Sequence, residues 1–372
     1  MNQVKNVLLI QVFHSFASGI IGIAVPLMMK ARNVDVVMMG LVFAALPLIM
    51  QFTRIFFATI SDFLGRKPFF IANGFLATVS SLIYYVAHTP LEFLFGKVVE
   101  GTKEGALWAV NRPFLLEKTD GHWRILVFLR TVVYIAYAAG SLLAGFFIVW
   151  LLFDGTMLLC ALFGLLAIAF AFLLSGDKKQ QFKMTEALKF LDFRKKGRVF
   201  KISLVLFFAI GLSGGFRGGF VLPVFLSDKG FNDEMVGLII GFQILIAGLF
   251  SYLFSRSSKM RTLILLSGIL YTLTFLFLGF LGAVAAGILV TAYGFVEGMN
   301  SIGQEGILTK ICTKESYGID ISLLMTGLHI GETLSLALSG VLISLWGFAV
   351  PFILSASTYT IFYLGSFLLF KE

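Results

Sequence analysis

Run after run of about twenty apolar residues leaves this chain one solvent in which to fold, because a helix of that length spans the hydrocarbon of a bilayer. Such runs fall at 7–29, 37–60, 68–87, 91–111, 125–147 and 154–174. After a polar interval they resume at 200–226, 234–254, 262–280, 282–305, 318–345 and 348–370. Almost nothing is left over for a domain outside the membrane. The alternation of a membrane barrel is absent, so the backbone must satisfy itself within helices. The sequence therefore predicts an all-α membrane protein of twelve transmembrane helices. The first run lacks a small-residue cleavage site and reads as a retained helix, not a signal peptide. Composition agrees: 13% of residues are charged and 58% hydrophobic, against about a quarter charged in a soluble domain. A soluble enzyme, a disordered chain and a DNA-binding module are all excluded, and no nucleic-acid partner is expected despite the net charge of +9.

Placement of the basic residues sets the direction of the spans. Of 29 Lys and Arg residues, Lys30, Arg32 and Lys229 fall in outer loops if the N-terminus is cytoplasmic. Arg54, Lys97, Lys103, Arg130 and Arg217 fall within spans, and the remaining 21 lie on the inner side. Both termini are therefore expected in the cytoplasm. The chain contains no Asn-x-Ser/Thr sequon, which fits a prokaryotic inner membrane. The interval 175–199 sets Met184, Leu188 and Leu191 at helical spacing among Lys183, Lys189, Arg194, Lys195 and Lys196. It reads either as a basic amphipathic helix on the anionic inner leaflet or as a solvated linker. Cys160 and Cys312 support neither a disulfide framework nor a metal site.

A shift of 197 residues superposes the two halves: Pro26 falls on Pro223, Gly40 on Gly237, and Val99-Glu100-Gly101 on Val296-Glu297-Gly298. The expected organisation is a six-helix bundle over 1–174, the interval 175–199, and a second bundle over 200–372. Parallel repeats of this kind imply a pseudo-two-fold axis along the membrane normal and a solute site where the repeats meet. Between the second and third spans stands Ala58-Thr59-Ile60-Ser61-Asp62-Phe63-Leu64-Gly65-Arg66-Lys67. It resembles the Gly-x-x-x-Asp-x-x-Gly-Arg-Lys signature of the major facilitator superfamily, with Ala58 for the leading Gly. Glu117 and Arg124 stand after the fourth span where that family has an acid and an Arg. The resemblance covers essentially the whole chain. It implies a secondary transporter in which Asp62, Gly65, Arg66, Lys67, Glu117 and Arg124 form a cytoplasmic gate that closes and opens with alternating access. The second-half counterpart, Ser255-Arg256-Ser257-Ser258-Lys259-Met260-Arg261, lacks the Asp. The family's Arg-x-x-x-Gly of span four has a counterpart in Lys97 and Gly101. The Gly-Pro signature of drug/proton antiporters is missing from span five.

Ionisable residues in the bilayer core are expensive and mark functional positions. Span four carries Lys97, Glu100, Glu104 and Trp108 on one face. Span ten carries Glu297, Asn300, Ser301 and Gln304; span eleven His329 and Glu332; span seven Arg217 among Gly214, Gly215, Gly218 and Gly219. His14 lies in span one, and Arg130 shares a stripe with Tyr134, Tyr137 and Ser141. The expected proton carriers are Glu297 and Glu332, then Glu100 and Glu104, with His329 as relay. The expected solute contacts are Arg217, Lys97, Glu100, Trp108, Asn300 and Tyr137. Each has a plainer alternative. Lys97 and Glu100 can simply neutralise one another, His14 can be a packing histidine, Arg54 can be structural or gating, and the acids can form permanent ion pairs. Gly101-x-x-x-Gly105, Gly237-x-x-x-Gly241, Gly294-x-x-x-Gly298 and Gly327-x-x-x-Gly331 read as helix-packing faces.

No phosphate-binding loop occurs, and no cofactor is expected beyond a proton gradient. The expectation is a monomeric proton-coupled carrier of a small organic solute, charged or zwitterionic. Efflux of amphipathic cations is the alternative, and a membrane enzyme or a transport-dead sensor are the remaining classes.

Overall fold

The computed structural model describes residues 2–119, 124–176, 196–255, 260–311 and 317–369. The interval 177–195, with its amphipathic pattern, and Cys312 lie outside the described residues. Regular structure among the described residues is helical throughout: α1 (Asn2–Ala31), α2 (Val36–Leu64), α3 (Lys67–Val86), α4 (Pro90–Lys118), α5 (Arg124–Phe172) and α6 (Arg198–Arg217). There follow α7 (Val221–Asp228), α8 (Asp233–Phe254), α9 (Met260–Leu278), α10 (Ala283–Ile311), α11 (Tyr317–Trp346) and α12 (Ala349–Leu369). The lipid-facing pattern is the inverse of a soluble protein's. Phe52, Phe56, Trp150 and Val284 are exposed, whereas Gln11, Asn73, Ser141, Ser213 and Ser355 are buried.

Among the described residues ten stretches are long and apolar enough to cross a membrane. The expected count of twelve is thus not established by length and composition, and two departures account for the difference. First, α4 carries Lys97, Glu100, Lys103 and Glu104 within its length, too many charges for an apolar span. Second, the expected fifth and sixth spans run together as α5, which is interrupted at Leu152 by a non-helical backbone (φ 59, ψ 175). The chain reverses there. Ser141 Oγ donates to Gly19 O at 3.3 Å and Cys160 Sγ lies 4.0 Å from Ala17 O, so residues before and after Leu152 meet the same turn of α1.

Local chemistry explains the other ends. Thr89 caps α4 in a capping box: Glu92 accepts from the backbone N–H groups of His88 and Thr89 at 2.6 and 2.8 Å, and Pro90 opens the helix. Gly65 turns α2 into α3 at φ 79, a conformation that a Cβ disfavours. The expected seventh span is broken between α6 and α7, where Gly219 has φ 57 immediately beyond Arg217 and Gly218.

Two compact units divide the chain. One comprises Met1–Val34, Ala45–Met184 and Asn232–Gly241; the other comprises Asp35–Ala44, Thr185–Phe231 and Phe242–Glu372. Each unit thus includes ten residues from the opposite sequence half. In the first unit a Cβ on Gly101 would lie 3.2 Å from Met50 N and 2.8 Å from Leu46 O. In the second, a Cβ on Gly298 would lie 2.9 Å from both Ala247 O and Ser251 N. Met50 and Ala247 are related by the same 197-residue shift as the two glycines. The repeat read from the sequence is therefore a repeat of helix–helix contacts, α2 on α4 and α8 on α10. Gly237 and Gly241 approach α5 at Ser141 and Leu142 within the first unit, and Gly327 approaches α6 at Leu204 within the second. All four small-residue faces are packing faces.

Candidate functional site

Two clusters of charged side chains stand out, one in each unit, beside a separate Lys196–Asp320 pair at 2.6 Å in the second. In the first unit α4 supplies most of the charge. Lys97 Nζ and Glu100 Oε2 are 2.8 Å apart with side chains 2% and 7% exposed, and the Tyr84 hydroxyl donates to the same oxygen at 2.6 Å. Gly96 makes this possible, since the Tyr84 ring lies against α4 where a larger residue would have its side chain. One turn on, Glu104 accepts from Lys103 Nζ at 3.1 Å, Trp108 Nε1 at 3.1 Å and Ser18 Oγ at 3.4 Å. His14 Nε2 lies 3.1 Å from Glu104 Oε2, and Asn73 holds the other ring nitrogen at 3.3 Å while donating to Lys103 O at 3.0 Å. Two lysines thus face two glutamates, and each acid has its counter-charge within hydrogen-bond reach. Buried ions are tolerated only in such company.

The second unit is built differently. Arg217 ends α6, where the helix dipole favours a cation. Its Nη2 lies 3.5 Å from Glu297 Oε1 of α10 and its Nε donates to Tyr271 of α9 at 2.9 Å. Gln243 of α8 donates to the other Glu297 oxygen. Aromatic faces surround the guanidinium: its carbon lies 5.0 Å from the Tyr293 ring centre, 5.7 Å from Tyr271 and 5.8 Å from Phe275. Tyr271 shares bonds with Ser213 (2.7 Å) and Ser355 (2.8 Å) and stacks on Tyr359 at 3.9 Å. The Tyr293 hydroxyl is buried with no hydrogen-bond partner among the described residues. Here the ion pair joins separate helices at a longer distance, and its side chains remain 18% and 27% exposed.

The sequence-derived candidates fall out as follows. Glu297 and Arg217 come together. Glu332 does not join them; its ion-pair partner is His329 on its own helix at 3.3 Å, with Glu332 one-third exposed. Asn300 turns to α12, accepting from Tyr359, and accepts from Gln304 at 3.1 Å. Tyr137 is half-buried with its hydroxyl beside Gly22 of α1. Lys97 and Glu100 adopt the mutual pairing that was their plainer alternative, and Trp108 is tied to Glu104. Of the gate residues, Arg66 meets Glu117 at 2.6 Å and Lys67 Nζ donates to Phe172 O at 2.8 Å. The side chains of Asp62 and Arg124 lie outside the described residues.

Sequence reasoning missed Lys103, Asn73 and the tyrosines. Lys103 is 1% exposed and central to the first cluster. Its signal was visible: a lysine within a span that lacks an interface to reach must find an acid. The signal for Tyr271, Tyr293 and Tyr359 was also present, since only 10 Tyr occur beside 42 Phe, and a phenol in lipid asks for a polar neighbour. Among the described residues no group of three or more His, Cys, Asp or Glu gathers that could hold a metal ion.

Solved structures of transporters share this fold. A point mutant of the nucleoside transporter NupG matches with a TM-score of 0.82 at 13% identity, covering 99% of this chain and all of the other. A POT family transporter in complex with 5-aminolevulinic acid matches at 0.75 and 13% identity, covering 97% and 94%. The human organic anion transporter MFSD10 (TETRAN) matches at 0.70 and 14% identity, covering 98% and 99%. No curated protein matches the sequence. The family profile of the Major Facilitator Superfamily matches residues 7–304, and with that match, the ten apolar spans and the transporter fold, the chain belongs to that superfamily as an integral, multi-pass membrane transport protein.

Proposed function

We propose that this protein is a proton-coupled secondary transporter of a small organic solute bearing negative charge, as an anion or a zwitterion, and that it works by alternating access as a monomer. Twelve crossings fit the reading, with α5 counted as two arms and charged α4 as a further span. The positive-inside distribution supports cytoplasmic termini in a prokaryotic inner membrane.

The observation that carries the proposal is the Arg217–Glu297 pair. It is partly exposed, joins residues 80 apart on separate helices, and sits beside a phenol with no hydrogen-bond partner among the described residues and beside a break in the helix. A solute carboxylate or phosphate competes with Glu297 for the guanidinium fork, which binds planar oxyanions through paired hydrogen bonds. Glu297 then loses its counter-charge, and exchange of solute for that carboxylate at Arg217 is the step that would link proton flux to solute occupancy. In the first unit the acids are closed by lysines. This favours a negatively charged solute over amphipathic cations.

A thermal-shift screen of purified protein against organic acids, amino acids, nucleotides and lipophilic cations, at mildly acidic and neutral pH, tests the solute class, because a ligand of the folded state raises its stability. Stabilisation by anions or zwitterions that is lost in Arg217→Gln supports the proposal. Stabilisation only by lipophilic cations, unchanged in Arg217→Gln, contradicts it.

A further inference from the structure

One pair of charges in the first unit has no acid. Arg54 of α2 and Arg112 of α4 are both half-buried, and Arg54 lies near enough to Arg112 to feel its charge. Neither has an ion-pair partner among the described residues. The helix contact explains how they meet. Gly105 of α4 packs where a Cβ would lie 2.9 Å from Arg54 N, so the backbone of Arg54 is pressed against α4. Arg112 follows Gly105 by seven residues, which is two turns along the same face. Between them on that face stands Trp108, whose ring centre is 5.8 Å from the Arg112 guanidinium. The indole N–H is already committed to Glu104 at 3.1 Å. The ring therefore offers its apolar face and nothing more.

The contrast with the neighbouring turn is informative. Lys97 and Lys103 each have an acid within 3.1 Å or less, as a buried cation requires. Arg54 and Arg112 instead repel one another in surroundings that screen charge poorly. A protein that gives two lysines their acids and leaves two nearby arginines with no acid among the described residues is set up to receive a negative charge from outside the chain. Two guanidinium forks and an aromatic wall match an oxyanion carried on an organic body. Partial exposure leaves them reachable.

We infer that Arg54, Arg112 and Trp108 form a binding site for a carboxylate or phosphate group, distinct from the Arg217 cluster. Two sources share that chemistry. Arg112 stands six residues from the end of α4 and Arg54 ten from the end of α2, about 9 and 15 Å of helix respectively. A solute in transit and an anionic lipid headgroup both fit. The solute source rests on the transport function proposed above, whereas binding at the site does not.

The test uses the purified full-length protein in detergent. Benzoate and phenyl phosphate are titrated against chloride at constant ionic strength, followed by melting temperature and by the difference in tryptophan emission between wild type and Trp108→Phe. A parallel arm adds phosphatidylglycerol or phosphatidylcholine micelles. The expected result is a saturable Trp108 signal with accompanying stabilisation, the affinity read from Trp108 being weakened about tenfold or more in Arg54→Gln and Arg112→Gln and partly kept in Arg54→Lys. Without anion, both Gln variants melt no lower than wild type, since a repulsion has been removed. A response to the soluble anions assigns the site to solute; a response to phosphatidylglycerol alone assigns it to lipid. Wild-type affinity for every probe in both Gln variants overturns the inference. So does a fall of several degrees in their anion-free melting temperature, which would mean that the arginines are held by the protein itself. Loss of the Trp108 signal in Arg217→Gln but not in Arg54→Gln would leave the proposed transport function standing and remove this site.

Discussion

Glu100 and Glu297 occupy equivalent positions in the internal repeat, yet their counter-charges differ in kind. Glu100 is met at 2.8 Å by Lys97 of its own helix and is 7% exposed, whereas Glu297 is met at 3.5 Å by Arg217 of another helix and is 27% exposed. A pair within one helix moves as a rigid body with that helix. A pair between helices changes whenever they shift. The repeat thus supplies one fixed carboxylate and one responsive one, and the predictions follow from that division.

Lys97→Met leaves Glu100 buried with Tyr84 as its remaining hydrogen-bond donor among the described residues and no cation in contact. Breaking one side of a buried pair costs about 3–5 kcal/mol, whereas removing both charges costs much less. Denaturation in detergent is expected to show a large loss for Lys97→Met and a substantial recovery in Lys97→Met with Glu100→Gln, a coupling that a double-mutant cycle reads directly. A single variant as stable as wild type would show that the pair contributes nothing structural.

Gly105 has no room for a side chain, because the backbone of Arg54 lies 2.9 Å from where its Cβ would be. Gly105→Val is expected to destabilise by roughly 1–3 kcal/mol through overpacking. Gly176→Ala, with nothing within 4 Å, serves as the control and should melt with wild type. Equal melting temperatures for the two would mean that α2 and α4 are less tightly apposed than described.

Arg66 and Glu117 form a partly exposed pair, 12% and 47%, and such pairs contribute about 0.2–1 kcal/mol. In the proposed gate, Arg66→Glu should therefore change melting little while impairing transport. The swap Arg66→Glu with Glu117→Arg should recover part of the transport rate in proteoliposomes. A single variant with full activity removes this pair from the gate.

Much of this architecture is written in the chain at the level of pattern. Apolar run length gives the helices, and Gly101 and Gly298 report the repeated contact because small residues in phase are what close packing needs. The break after Arg217 was legible as well, since glycines on both sides of a charge leave a helix free to end. The reversal was legible too, falling between the expected spans 125–147 and 154–174, but not its placement at Leu152, which is an ordinary apolar residue with φ 59. Pairing was the least legible. Lys103, one position from Glu104, finds its acid only because the side chain lacks any alternative in the bilayer. The tyrosines around Arg217 come from α9, α10 and α12, three helices that sequence separation does not connect.

His329 and Glu332 form a pair within α11 that is independent of Arg217. Glu332→Gln is expected to retain uphill transport at a reduced rate, whereas Glu297→Gln abolishes it. In the proposed mechanism this pair passes protons on without holding the exchange itself, so its loss slows transport and leaves coupling in place. Complete loss in Glu332→Gln with the solute still bound would exchange the roles of the two acids.

The central claim is that Glu297 couples proton movement to solute movement. The most direct measurement is proton flux in proteoliposomes with a pH dye trapped inside, recorded on adding whichever solute the thermal-shift screen identifies. Wild type should acidify or alkalise the lumen in step with solute uptake, and Glu297→Gln should exchange labelled solute across the membrane with no accompanying pH change. Undiminished proton flux and uphill accumulation in Glu297→Gln would contradict the account.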